Sequence, residues 1–241
     1  MASSIKPFLL FVSCLLLSNN ICLAQVGERR NDFSIGGTGG YTMNRRSFQP
    51  KIKQATLGYP MFGFAARYIC EKYFTCIAGV QAEVNYNNLG WQEVIEDGSE
   101  NTYSRDLHYL QVPILMQMGW GREVRGFKFV FMAGPQLGFC LGSTEHREGD
   151  PWDVSRRPQN VTYQYDHDLD RKFDYGIAAG LGLEFSSVIG HFILEGRYYY
   201  GLGDGYDNSK KGYFGRSANQ TIYAKLTYLY DIIKTKNCQR K

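Results

Sequence analysis

The sequence predicts an all-β protein, an eight-stranded antiparallel up-and-down transmembrane β-barrel that follows a cleaved signal peptide. Three observations carry this. From Phe173 to Phe185 every second residue is large and apolar or Ala, and the residues between are Asp174, Gly176, Ala178, Gly180, Gly182 and Glu184. A period of two is the strand signature, and the run suits the roughly 9–11 residues of a tilted strand that crosses a bilayer. Seven further segments copy the pattern, and the connections between them are alternately short and long.

The chain opens as an export signal. Lys6 precedes an apolar run from Phe8 to Leu17, and Cys22-Leu23-Ala24 precedes Gln25. A charged start, an apolar stretch too short to span as a helix and small residues before the cut predict cleavage after Ala24. Phe11-Val12-Ser13-Cys14 loosely resembles a lipobox, but Cys14 sits inside the apolar run, which argues against lipidation. Residues 25–31 then form a short periplasmic lead, 32–230 the barrel and 231–241 a basic periplasmic tail.

The strands follow in order. The first, about Asp32 to Thr42, puts Phe33, Ile35 and Tyr41 on one face. The second, about Leu57 to Cys70, turns Phe62, Phe64, Ala66 and Tyr68 outward and Arg67 inward. The third, about Tyr73 to Asn87, opposes Val80, Ala82, Val84 and Tyr86 to Gln81, Glu83, Asn85 and Asn87. The fourth, about Leu107 to Trp120, carries Leu110, Val112, Ile114, Met116 and Met118 on its apolar face. Pro113 cannot donate to a ladder, so a bulge is expected there. The fifth runs from about Phe127 to Leu141, and Phe173–Phe185 is the sixth. The seventh, His191 to Leu202, sets Phe192, Leu194 and Tyr198 against Glu195 and Arg197. The eighth, Ala218 to Tyr230, sets Ile222, Leu226 and Tyr228 against Tyr223 and Lys225.

Glu71-Lys72, Gly121–Gly126 and Ser187–Gly190 are short connections. Residues 43–56, 88–106, 142–171 and 203–217 are long and polar. Strict alternation of this kind belongs to outer-membrane barrels, with short periplasmic turns and long external loops. A lipocalin-like soluble barrel also has about eight strands, with the apolar face inside. Two features favour the inverted arrangement. The second face of the sixth strand is mostly Gly and Ala, which suits a crowded lumen. The polar-face charges come in both signs, and burial of such groups requires pairing.

Composition excludes little. The formal charge of +4 is too weak and too scattered to argue for nucleic acid. No apolar run after the signal approaches the roughly 18 residues of a membrane helix. Four cysteines survive cleavage: Cys70, Cys76, Cys140 and Cys238. Cys70 and Cys76 flank the stretch Glu71–Thr75 and share strand parity, so a disulfide across the hairpin is open to them. Cys140 and Cys238 fall at opposite ends of a barrel. No His accompanies these cysteines at ligand spacing, so neither a metal nor another cofactor is expected.

Several short motifs recur in order: Leu107-His108-Tyr109-Leu110-Gln111-Val112-Pro113-Ile114-Leu115, Ala133-Gly134-Pro135-Gln136-Leu137-Gly138, Tyr175-Gly176-Ile177 through Gly182-Leu183-Glu184, and Arg197-Tyr198-Tyr199-Tyr200-Gly201-Leu202. On these the chain resembles the outer-membrane β-barrel family of Bacteroidota called PorT-like or "porin family" proteins. The resemblance covers nearly the whole mature chain. It implies an outer-membrane location but no reaction, and one founding member is associated with a secretion system. Many such barrels end on an aromatic residue. Here Tyr228-Leu229-Tyr230 is followed by Asp231 to Lys241, which reads as an internal insertion signal or as a periplasmic tail that contacts a partner.

The candidate site is a lumen charge network of Arg67, Glu83, Glu184, Glu195, Arg197 and Lys225. It can serve as an ion path or as a plug, and the narrow interior of eight strands favours the plug. Trp120, Tyr198, Tyr200, Tyr228 and Tyr230 read as interface aromatics. Asp166, Asp168 and Asp170 alternate in a loop but lack the Gly and Glu of a calcium-binding EF-hand. Arg156, Arg157, Arg171 and Lys172 can meet anionic headgroups or simply solvent. Ser104 and His108 can be imagined as a nucleophile and base, yet no acidic group orients them. The expected function is therefore non-enzymatic: a binding, envelope-structural or secretion-accessory barrel in contact with outer-membrane lipid and lipopolysaccharide. A narrow pore and a lipid-modifying enzyme are the alternatives.

Overall fold

The computed structural model describes residues 28–235, apart from 97, 100, 123–124, 150–151, 153, 156, 158–161 and 209–213. The export signal, its cleavage point and Cys238 lie outside the described residues.

Eight long strands close into a ring: β1 (Glu28–Gln49), β3 (Leu57–Tyr73), β4 (Cys76–Glu93), β5 (Thr102–Gly121), β6 (Gly126–Glu148), β7 (Phe173–Ser187), β8 (Gly190–Gly201) and β9 (Arg216–Ile233). A two-residue strand, β2 (Gln54–Ala55), lies on the far end of β4. All neighbours are antiparallel. The order round the ring follows the chain, and β9 returns to β1 over a long register from Phe33↔Ile233 to Gln49↔Arg216.

The pleat decides what faces where. Across β7 exposed and buried residues alternate one by one. Phe64 is 78% exposed and Leu194 62%, whereas Lys225 is 2% exposed. In water each such apolar side chain would forgo about 1.5–3 kcal/mol of burial; against hydrocarbon nothing is lost. The apolar face therefore lies outside and the charged face within, as in a membrane barrel and opposite to a lipocalin.

Several boundaries differ from the sequence reading. β1 runs to Gln49, β4 to Glu93 and β6 to Glu148, and β5 starts at Thr102. These extensions pass beyond the membrane, where water replaces lipid and the outward positions turn polar, so apolar alternation stops before the ladder does. At the other end, β1 takes in Glu28–Asn31 from the expected lead, and β9 takes in Asp231–Ile233 from the expected tail. The Thr235 amide donates to Asp32 at 2.5 Å and the Thr235 hydroxyl accepts from the Asn31 amide at 2.8 Å, so the start of β1 is tied to the residues just after β9.

The expected bulge at Pro113 is not there. Pro113 stays in register with Gln136, and the β5–β6 shift falls at His108/Tyr109. The β4–β5 pairing instead lapses between Ala82↔Ile114 and Asn85↔Gln111, so the missing N–H is absorbed without an inserted residue. The Cys70–Cys76 bridge that the sequence leaves open does not form, and both thiols are free. The hairpin turn is Phe74-Thr75, and Cys76 pairs with Tyr73 and Trp120. Cys70 sits in a register shift between Ile69 and Glu71, well back from Cys76.

Candidate functional site: a plugged lumen beneath a capped mouth

The six predicted lumen residues all point inward and are buried, but they form two clusters rather than one network. In the first, Glu83 of β4 is the hub. Arg197 of β8 reaches its carboxylate through two nitrogens, at 2.9 and 3.1 Å. Lys225 Nζ of β9 lies 2.6 and 2.7 Å from the two oxygens. Gln81 and Asn85 add donors at 2.7 and 2.8 Å. Glu195 accepts from Arg197 Nε at 2.5 Å and lies 3.6 Å from Lys225 Nζ. Two carboxylates face two cations, so the cluster is formally neutral. Such burial is tolerable only with this degree of pairing. Glycines make the space. A Cβ on Gly40 would lie 2.6 Å from Lys225 Cβ, and one on Gly180 would lie 3.1 Å from Arg197 Cβ.

The second cluster lies nearer the short-turn end. Glu184 of β7 takes Arg67 Nη1 at 2.9 Å and Lys128 Nζ at 2.9 Å, and His191 Nδ1 is 2.7 Å away. The other ring nitrogen of His191 lies 3.0 Å from Asp231, whose second oxygen accepts from Ser34 at 2.6 Å. Ser186 Oγ is 3.1 Å from His191 Nδ1. Ser186, His191 and Asp231 thus trace the outline of a hydrolytic triad. The chemistry of one is missing. Ser186 is 2% exposed, and Glu184 crowds the nitrogen that would have to accept its proton. An imidazole with a carboxylate on each side is a tie between strands, not a free base. The sequence places His191 at the start of the seventh strand, on the parity of Glu195 and Arg197, without counting it among the lumen charges, and Asp231 falls outside the last strand because that strand is ended at Tyr230. The continuing alternation Tyr228, Tyr230, Ile232 was the available signal.

The opposite mouth is closed by a cap. Phe48, Leu89 and Trp91 of the strand extensions, with Leu107 and Tyr109 of β5, pack with Leu169, Tyr206 and Phe214 from the two longest connections. Phe48 and Phe214 pack with ring centroids 5.0 Å apart and planes tilted by 49°, and Phe48 meets Trp91 edge-on at 5.3 Å. The Arg46 guanidinium lies over Trp91 and Tyr206 at 5.2 and 5.5 Å, a favourable cation–π geometry. Trp91 Nε1 donates to Gln164 at 2.9 Å; Gln164 and Tyr165 both donate to Glu93, at 2.8 and 2.7 Å. Arg105 pairs with Glu145 and donates to the His167 carbonyl and the Tyr206 hydroxyl. Burial pushes the phenols of Tyr103, Tyr165 and Tyr206 up, so these donors stay protonated. Phe48 and Trp91 lay in stretches read as loops. The period of two in Leu89, Trp91, Glu93 was the signal for them.

The remaining candidates separate. Ser104 and His108 face outward without meeting: His108 Nδ1 lies 2.7 Å from Asn88 Oδ1 and 3.1 Å from the Tyr86 hydroxyl. Asp166 engages Arg147, Asp168 accepts from Ser143, and Asp170 accepts the Asp207 amide, so the three carboxylates diverge. No metal-holding cluster occurs among the described residues. Arg157 stacks on Trp152 at 4.8 Å, and Arg171 lies 4.0 Å from Asp207; Arg156 lies outside the described residues. Trp120, Tyr198, Tyr228 and Tyr230 are exposed on the outer wall, and Tyr200 is half-buried under Arg216.

Among solved structures the chain is similar to the attachment invasion locus protein Ail of Yersinia pestis, in complex with the heparin analogue sucrose octasulfate. That match has 15% identity, covers 83% of this chain and 99% of that one, and has a TM-score of 0.37. It is also similar to OprG from Pseudomonas aeruginosa (14% identity, 85% and 96% covered, TM-score 0.47) and to Neisserial surface protein A (9% identity, 82% and 96% covered, TM-score 0.44). A comparison with curated proteins gives no match. The model of the family described as "Outer membrane protein beta-barrel domain" matches residues 23–207, well over half of the chain. With that match, a closed antiparallel ring and an apolar exterior, the chain belongs to the outer membrane protein β-barrel domain family.

Proposed function

We propose that the protein is a non-enzymatic, non-conducting outer-membrane barrel that works as a rigid platform, with its capped extracellular face presented for binding. One observation carries this reading: the lumen is obstructed three times over, by two ion-paired clusters and by an aromatic cap held to the wall through Trp91, Arg46 and Arg105. An eight-stranded interior is about as wide as the side chains that fill it, and here those side chains are locked by charge pairs. A platform whose described cap residues pack onto the mouth of the ring suits recognition of a surface ligand or of an envelope partner. The four sequence motifs favour the PorT-like branch of Bacteroidota within the family, and with it an accessory role beside an envelope or secretion complex.

Conductance measurement tests the reading. Purified protein inserted into planar lipid bilayers should leave the baseline free of steady steps, with insertion verified by protease-protected fragments. A stable unitary current, lost when the Glu83–Lys225 cluster is altered, would establish the pore instead.

A further inference from the structure

The outer wall over β8, β9 and β1 combines two features. Strand register aligns Tyr200, Gln220 and Arg45 in one row, directly beyond the apolar row Tyr198, Ile222 and Met43. Arg45 is exposed and points outward. Arg216, further along β9, folds back so that its guanidinium lies 5.0 Å over the Tyr200 ring and donates to the Tyr200 hydroxyl. Arg45 therefore stands beside Gln220 on one side and the Tyr200-held Arg216 guanidinium on the other, on a ledge where the hydrocarbon-facing band ends. No outward position of Phe33–Gln49, Phe192–Tyr200 or Arg216–Ile232 is a carboxylate. Further round the wall the outward Asp106 of β5 is already engaged by Tyr59 and His146.

The second feature lies nearer the membrane centre. The next row is Tyr41, Ala224 and Gly196, followed by Gly39, Leu226 and Leu194. A Cβ on Gly196 would meet nothing within 4 Å, and one on Gly39 would come no nearer than 3.8 Å to the Met61 carbonyl. Packing does not demand glycine at either position. Gly196, Ala224 and Gly39 floor a shallow dip among bulky lipid-facing neighbours, which begins four residues, or about 13 Å of strand, below the arginine row at Gly196 and Ala224 and continues to Gly39 two residues further.

We infer that this wall holds a phosphorylated glycolipid of the outer leaflet, with phosphate on Arg45 and Arg216 and an acyl chain in the dip. The planar guanidinium fork matches phosphate oxygens and forms charge-assisted hydrogen bonds. Arg216 is held over the Tyr200 ring with one N–H on the Tyr200 hydroxyl, and a guanidinium carries further donors beyond that bond. A soluble anion would make no use of the dip, and a neutral lipid would make none of the arginines. Only an amphiphile with an anionic head satisfies both. The ledge lies on the outer surface, so the inference stands apart from whether the lumen conducts.

Native mass spectrometry of the detergent-purified full chain tests it. The probes are lipid A bearing its phosphates and the same lipid enzymatically dephosphorylated. The wild type should retain the phosphorylated form about tenfold better. The double variant Arg45→Gln/Arg216→Gln should bind the two forms alike. Gly196→Leu, which projects into open space, should weaken both forms equally by filling the dip. Retained heat-modifiable gel mobility verifies that each variant is folded. Equal retention of the two lipids by the wild type overturns the inference without recourse to any variant, as does a phosphate preference that survives loss of both arginines.

Discussion

Glu83→Gln is expected to destabilise the barrel by about 3–5 kcal/mol, the usual cost of removing one partner from a buried charge cluster. The substitution keeps the shape of the side chain. It removes the charge that Arg197 and Lys225 both face, and two buried cations are then left with Glu195 alone. Lys225→Met should cost less, because Arg197 still grips both Glu83 and Glu195 after it. As a control, Lys53→Gln breaks an ion pair whose side chains are about 60% exposed and should change stability by no more than about 0.5 kcal/mol. Urea unfolding in lipid vesicles, read by the gel mobility of unheated samples, orders the three. A Glu83→Gln barrel as stable as the wild type would mean that the cluster does not hold β4, β8 and β9 together.

Trp91→Ala is expected to release the cap and spare the barrel. The indole is 1% exposed, donates to Gln164, lies against Phe48 and is the floor on which Arg46 rests. Truncation of such a core aromatic costs about 3–5 kcal/mol. Here the loss falls on a sub-structure, since strand pairing continues without the indole. Limited proteolysis within the connections 149–172 and 202–215 should therefore accelerate roughly a hundredfold or more, following the open population. The unheated gel mobility should stay that of a closed barrel. Unchanged proteolysis would show that the loops owe their order to something other than the mouth of the ring.

The membrane-spanning part of this fold was legible in the sequence because lipid imposes a strict rule on alternate residues. Phe62, Phe64, Ala66 and Tyr68, or Leu181, Leu183 and Phe185, satisfy it with no reference to their neighbours. Arg67, Glu83, Glu195, Arg197 and Lys225 were legible as lumen residues for the same reason: their parity puts them opposite the apolar set. Partition of the charges into two clusters was not legible, because it depends on how far each strand is staggered against the next. Glu184 meets Arg67 of β3 across the lumen and His191 diagonally on the neighbouring β8, and no spacing along one strand encodes that. The cap was missed for a different reason. Beyond the membrane the outward positions answer to water, and Arg45, Ser47, Gln92 and Ser104 are as suited to a loop as to a strand. Only the inward half of the pattern, Phe48, Leu89 and Trp91, still recorded a ladder. Cys70 and Cys76 misled because parity does not fix where the hairpin turns: with Phe74-Thr75 as the turn Cys76 lies opposite Tyr73, and Cys70 sits three residues further back along its strand.

The orientation of alternate side chains is tested most directly by nitroxide scanning along β7. Spin labels attached one at a time from Asp174 to Phe185, in a background from which the native cysteines have been removed, report collision with oxygen, which concentrates in hydrocarbon. Accessibility should be high at Tyr175, Ile177, Ala179, Leu181, Leu183 and Phe185 and low at Asp174, Gly176, Ala178, Gly180, Gly182 and Glu184. The opposite phase, or no alternation at all, would contradict a barrel that turns its apolar face to lipid and its charges to the lumen.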